Sequence, residues 1–69
     1  MTQCQMIKEY LNEHGSITPQ EAMYRLGIMR LAARINEIDS PGYPIIREMV
    51  KGTNRFGEPV RYARYKKAV

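Results

Sequence analysis

Thr18-Pro19-Gln20-Glu21-Ala22-Met23-Tyr24-Arg25-Leu26-Gly27-Ile28-Met29-Arg30-Leu31-Ala32-Ala33-Arg34-Ile35-Asn36-Glu37-Ile38-Asp39 is the stretch that decides the fold. Thr18 is a good N-cap, and Pro19 suits the first helical position, where a missing N–H costs nothing. Glu21 stands where a capping box needs a carboxylate. These signals predict a helix from Pro19 to about Leu26 with Ala22, Met23 and Leu26 on one side, interrupted by Gly27. A further helix is predicted from Ile28 to about Asp39. At 100° per residue its Ile28, Leu31, Ala32, Ile35 and Ile38 form one apolar stripe. Arg30, Arg34, Glu37 and Ala33 lie opposite, with Met29 and Asn36 at the edge. Ser40-Pro41-Gly42 ends this helix sharply.

Before this stretch, Met6, Ile7, Tyr10 and Leu11 follow the spacing of one helix face. A first helix is therefore expected over about Gln3 to Glu13, with a Thr2/Gln5 capping box at its start and His14-Gly15 at its end. Ser16-Ile17 is too short for a helix and suits a stub strand. After Gly42 the period changes from 3.6 to 2. Tyr43–Lys51 and Val60–Lys66 read as strands, and the intervening Gly52–Pro59 has the chemistry of a long hairpin tip.

The chain has 69 residues and a mass of 8.0 kDa, so one domain over residues 1–69 is expected. A chain this short buries only roughly 60% of its unfolded surface, which argues against a deep substrate cavity. No stretch free of Lys, Arg, Asp and Glu exceeds seven residues, so neither a membrane span nor a signal-peptide core is expected. The single Cys4 forms no internal disulfide, and Cys4 with the single His14 falls short of a zinc site. These features lead to an expectation of a cytoplasmic protein without cofactor or metal. GxGxxG, Walker A, HExxH, GxSxG and CxxC patterns are all absent, so no catalytic residue is assigned and an enzyme is not expected.

The net charge is +4, but it is unevenly placed. Residues 1–46 sum to −1 and residues 47–69 to +5. A localised positive field attracts polyanions, nucleic acid above all.

The predicted order is helix, stub strand, helix, Gly-turn, helix, hairpin. Two short helices joined by a tight turn form a helix-turn-helix, and the hairpin makes it a winged one, an α+β fold. The third helix, about 10–12 Å across with side chains, matches a major groove about 12 Å wide. Met29, Arg30, Ala33 and Arg34 are the candidates for that groove. Lys51, Asn54, Arg55, Arg61 and Arg64, around the wing at residues 51–61, are the candidates for the DNA backbone. For Arg30 and Arg34 the competing reading is a solvated ion pair with Glu37 or Glu21. For Arg61 and Arg64 it is the solvent face of a strand. Phe56 reads either as a packing anchor for the tip or as a wedge into nucleic acid. The tyrosines and methionines read as core, Met29 excepted.

Gly15-Ser16-Ile17-Thr18-Pro19-Gln20-Glu21-Ala22, Gly27-Ile28, Arg30-Leu31-Ala32-Ala33-Arg34-Ile35, Gly42-Tyr43-Pro44-Ile45, Asn54-Arg55-Phe56-Gly57 and Val60-Arg61-Tyr62-Ala63-Arg64-Tyr65 together resemble the small winged helix-turn-helix proteins encoded by bacteriophages and prophages. The resemblance runs over about residues 3–66. It implies a winged-helix fold and binding of double-stranded DNA in an infected or lysogenic bacterium, as a transcription regulator or a recombination accessory factor. The alternative is a protein-interaction module, an inhibitor or adaptor that binds a host or phage protein. Whether two copies form a homodimer is left open.

Overall fold

A computed structural model describes residues 1–68; Val69, the last residue of the expected domain, lies outside the described residues. The first helix, α1 (Gln3–His14), starts where the sequence places it. Gln5 N donates to Thr2 Oγ1 at 3.1 Å and Thr2 N donates to Gln5 Oε1 at 2.8 Å, closing the capping box. Gly15 takes φ +84°, which an L side chain rarely adopts, and its N–H closes the helix on the Leu11 carbonyl at 2.8 Å. The chain can then turn directly into β1 (Ser16–Ile17).

The second helix, α2 (Pro19–Glu21), has the expected Thr18 cap and continues as a π-helical stretch, Ala22–Leu26. Glu21 serves two elements at once. Its Oε1 accepts from Thr18 N at 3.0 Å, and its Oε2 accepts from the Tyr10 hydroxyl of α1 at 3.0 Å. Burial, with the Glu21 bond as a second cause, pushes the Tyr10 hydroxyl above its ordinary pKa, so Tyr10 stays a donor.

The third helix is α3 (Leu31–Ile38), and its start corrects the expectation of Ile28. Gly27 is left-handed at φ +69°, and the Ile28 N–H bonds back to the Ala22 carbonyl at 3.0 Å. Ile28 therefore completes the preceding helix instead of opening the next. Arg30, at φ −118° and ψ 63°, is the N-cap. At the other end Asp39 leaves the helix, and its Oδ1 accepts from Ile45 N at 3.0 Å.

The wing is β2 (Ile45–Thr53) paired with β3 (Pro59–Lys67), and β1 adds to the other side of β3. All three strands are antiparallel in the order β1-β3-β2. The ladder continues through Gly52↔Val60 and Thr53↔Pro59, so the tip is shorter than the expected Gly52–Pro59. Pro59 is tolerated because it is the first residue of its strand.

The core gathers Ile7, Tyr10 and Leu11 of α1, Ile17 of β1, Ala22, Ile28, Leu31, Ile35 and Ile38, and Tyr65 of β3. Two expectations fail at its margin. Met23 and Ala32 are exposed, not core. Met1, Met49, Tyr24 and Tyr62 also face solvent, so the aromatic and methionine content is less of a core signal than its spacing suggested.

Candidate nucleic-acid interface

Two surfaces carry the candidate residues. The first lies at the N-terminal end of α3. Met29 and Arg30 are exposed and sit between two shallow depressions, one lined by Pro19, Ala32 and Ala33, the other by Gln3, Gly27 and Arg34. The structure thus brings Met29, Arg30, Ala33 and Arg34 together. No side chain caps the first turn of α3, so its opening amides have no side-chain acceptor.

The two arginines differ in their freedom. Among the described residues no carboxylate lies within ion-pair distance of Arg30. Arg34, by contrast, has a side chain only 33% exposed, and its Nη1 lies 3.3 Å from Glu37 Oε1. Glu37 Oε2 in turn accepts from the Cys4 thiol of α1 at 3.3 Å. Arg34, Glu37 and Cys4 therefore form a strap between α3 and α1. Burial, reinforced by the Glu37 carboxylate, raises the Cys4 pKa and holds the thiol neutral. This is the ion-pair reading for Arg34, and it does not extend to Arg30.

The second surface is the wing. Side chains alternate across a strand, and Tyr65 faces the core. On the same face the register sets Arg47 opposite Tyr65, Met49 opposite Ala63, and Lys51 opposite Arg61. Lys51 and Arg61 are exposed and jointly line a shallow cleft with Pro59 and Val60. Arg47 is exposed in the same row. It was not among the candidates, although period-2 counting from Lys51 reaches it.

Arg64 is three residues from Arg61 and so lies on the other face. There Glu48 takes Arg64 Nη2 at 3.5 Å and Lys66 Nζ at 3.0 Å. The Lys66 bond leads in holding the Glu48 carboxyl below its ordinary pKa. The backbone candidates Arg61 and Arg64 are thereby placed on opposite faces by strand parity.

Asn54 closes the tip. Its Oδ1 accepts from Phe56 N at 2.9 Å and Glu58 N at 3.0 Å, and its Nδ2 donates to Glu58 Oε1 at 3.1 Å. Gly57, at φ +78°, completes the turn with its N–H on the Asn54 carbonyl at 3.0 Å. Asn54 thus shapes the loop, and its Nδ2, the side-chain donor a phosphate would have engaged, donates to Glu58 instead. Arg55 is exposed at the apex, its guanidinium carbon 5.7 Å from the Phe56 ring centroid. Phe56 is 79% exposed, so its reading as a packing anchor is corrected.

Among the described residues, no group of three or more His, Cys, Asp or Glu could hold a metal ion, and no helix is long and apolar enough to cross a membrane. The family model described as "winged helix-turn-helix domain" matches residues 2–67 of the chain. No curated protein and no solved structure matches it.

Proposed function

We propose that this chain, which belongs to the winged helix-turn-helix domain family, binds double-stranded DNA and performs no chemistry on it. The observation that carries this reading is the pairing of charges. Arg30, Lys51, Arg55 and Arg61 are exposed with no carboxylate within ion-pair distance among the described residues. Meanwhile Glu37 and Glu48 are occupied by Arg34, Arg64 and Lys66. A fold that neutralises Glu37 and Glu48 internally and leaves these cations free presents a local field suited to phosphate.

In this reading Arg30 enters the major groove from the start of α3, with Met29 and Ala33 beside it. Guanine O6 and N7, or a phosphate, are the acceptors that fit a guanidinium fork. Lys51, Arg55 and Arg61 engage the DNA backbone. Arg34, Asn54 and Arg64 set the shape of the two surfaces and reach DNA only through groups that their internal bonds leave free.

The role that fits is transcription control or assistance to recombination in the cytoplasm of a phage-infected or lysogenic bacterium. A neighbouring integrase gene favours the second and a divergent repressor gene the first. Binding of labelled mixed-sequence duplexes across a salt series tests the activity itself. The affinity should fall with a log–log slope of about −0.9 for each phosphate neutralised. Absence of binding at low salt, or a flat salt response, rejects the reading.

One observation favours a second reading, a protein partner. The sheet face opposite the core exposes Ile46, Val60 and Tyr62 around the Glu48 ion pairs. Such a face suits a protein better than a phosphate backbone. A chain that binds a host or phage protein, or a second copy of itself, through this face would keep that binding when Arg30, Lys51 and Arg61 are replaced.

A further inference from the structure

We infer that the wing tip is a wedge: Phe56 enters a minor groove next to the bound major groove, unstacks a base step and bends the duplex. This rests on the DNA-binding reading and adds an architectural activity to it.

The first ground is that Phe56 does nothing visible for the fold. It is 79% exposed, while the turn that carries it is closed by Asn54 and Gly57. An aromatic ring held in water at the apex of a hairpin gains only by burial against something else. The second ground is rigidity. Phe56 N is pinned to Asn54 Oδ1 at 2.9 Å, and Asn54 and Glu58 are joined by backbone and side-chain bonds. A wedge must be presented stiffly, because a floppy loop would fold away from the stack it is meant to open.

The third ground is charge. Arg55 lies 5.7 Å from the Phe56 ring and has no carboxylate partner among the described residues. The nearest acid in the sequence, Glu58, is bonded to Asn54. The narrow minor groove of A·T-rich DNA has an enhanced negative potential that draws arginine in. The fourth ground is size. A minor groove about 6 Å wide cannot take a two-stranded ribbon, but it can take the side chains at the apex.

Reach agrees with this placement. From the Arg47–Tyr65 pair, the last to include a buried residue, the ladder runs six residues to Thr53–Pro59. At about 3.4 Å per residue that is about 20 Å. Half a helical turn of DNA, which separates a major groove from the next minor groove, is about 17 Å.

The test uses the full chain at low salt on 30-bp duplexes of mixed sequence containing TA and CA steps. Each duplex carries a donor and an acceptor dye at its ends, and a parallel set carries 2-aminopurine at those steps. Wild type is expected to raise the dye transfer by an amount matching a bend of at least about 20°, and to brighten 2-aminopurine as the stack opens. Phe56→Ala should abolish both signals while lowering affinity by about 5- to 150-fold, the scale of one stacking contact. Phe56→Leu should keep most of the bend, since an aliphatic wedge also unstacks.

Equal bending by wild type and F56A, or binding by wild type with no bend and no 2-aminopurine change, overturns the wedge and leaves the DNA-binding reading standing. Failure of wild type to bind any duplex overturns both.

Discussion

Arg30 and Arg34 are the same amino acid one helical turn apart, yet the fold gives them different work. The core seam of α3 is Leu31, Ile35 and Ile38. At 100° per residue, Arg34 sits about 70° from the centre of that seam and Ala32 about 90°. Arg34 is thus nearer the core than the alanine is. Including Ile28 in the helix shifted the apparent centre toward Ala32 and made Arg34 look fully exposed. Ile28 is indeed buried, but it belongs to the preceding turn, so its angle does not count. An R30A variant should therefore lose about 1–3 kcal/mol of DNA affinity by titration, with an unchanged urea midpoint. Arg34→Ala should instead lower stability by about 1 kcal/mol in urea, since it breaks the strap to Glu37 and removes a side chain that is only 33% exposed. Equal effects of both variants on affinity, with no loss of stability in either, would contradict the distinction. On the other side of α1, Tyr10→Phe keeps the ring in the core but deletes its bond to Glu21. It should cost about 1–2 kcal/mol in the same urea experiment.

At the scale of elements, the sequence makes caps and strands easy to see and the joints between them hard. Thr2, Thr18 and Gly15 signal their roles through chemistry that acts within four residues, and each does what its type predicts. The change from period 3.6 to period 2 after Gly42 likewise announces the wing. The π-helical stretch Ala22–Leu26 and the late start of α3 depend on where Ile28 finds room in the core, which no local signal encodes. The split of Arg61 from Arg64 was legible, because strand parity alone separates them; grouping cations by proximity in the chain concealed it.

The outer face of the wing has its own pH response. Glu48 is held below its ordinary pKa by Lys66 first and by Arg64 as well. Such a carboxylate stabilises the fold above the unfolded value of about 4.3, and that stabilisation disappears as pH falls through the lower native value. Glu48→Gln should therefore melt below wild type at pH 7, with the gap narrowing toward pH 3. A constant gap across that range would show that the ion pairs are not its source. At the tip, Asn54→Ala removes three side-chain bonds while leaving every cation in place. If the tip works as a rigid presenter, this variant should reduce bending and affinity together, with little change in the number of phosphates neutralised.

The whole molecule is elongated, 39 × 23 × 21 Å, and the free cations of the candidate interface, Arg30, Lys51, Arg55 and Arg61, are divided between the opening of α3 and the wing. This division makes a quantitative demand that no single substitution can test. Arg30 and Arg55 lie on separate elements and neither has an ion-pair partner among the described residues, so their effects on DNA affinity should add. Each one that neutralises a phosphate should also contribute about −0.9 to the log–log salt slope. An Arg30 contact to a base instead would lower affinity and change sequence preference while leaving that slope nearly intact. Titrating wild type, R30A, R55A and the double variant from 50 to 300 mM salt separates these cases. The expected result is a shallower slope for R55A, by about one contact, and additive free energies in the double variant. Non-additive losses would mean that the two surfaces engage DNA through one shared contact or in alternative poses. An unaltered slope in all four proteins would mean that the field of the wing, for all its positive charge, is not what holds the duplex.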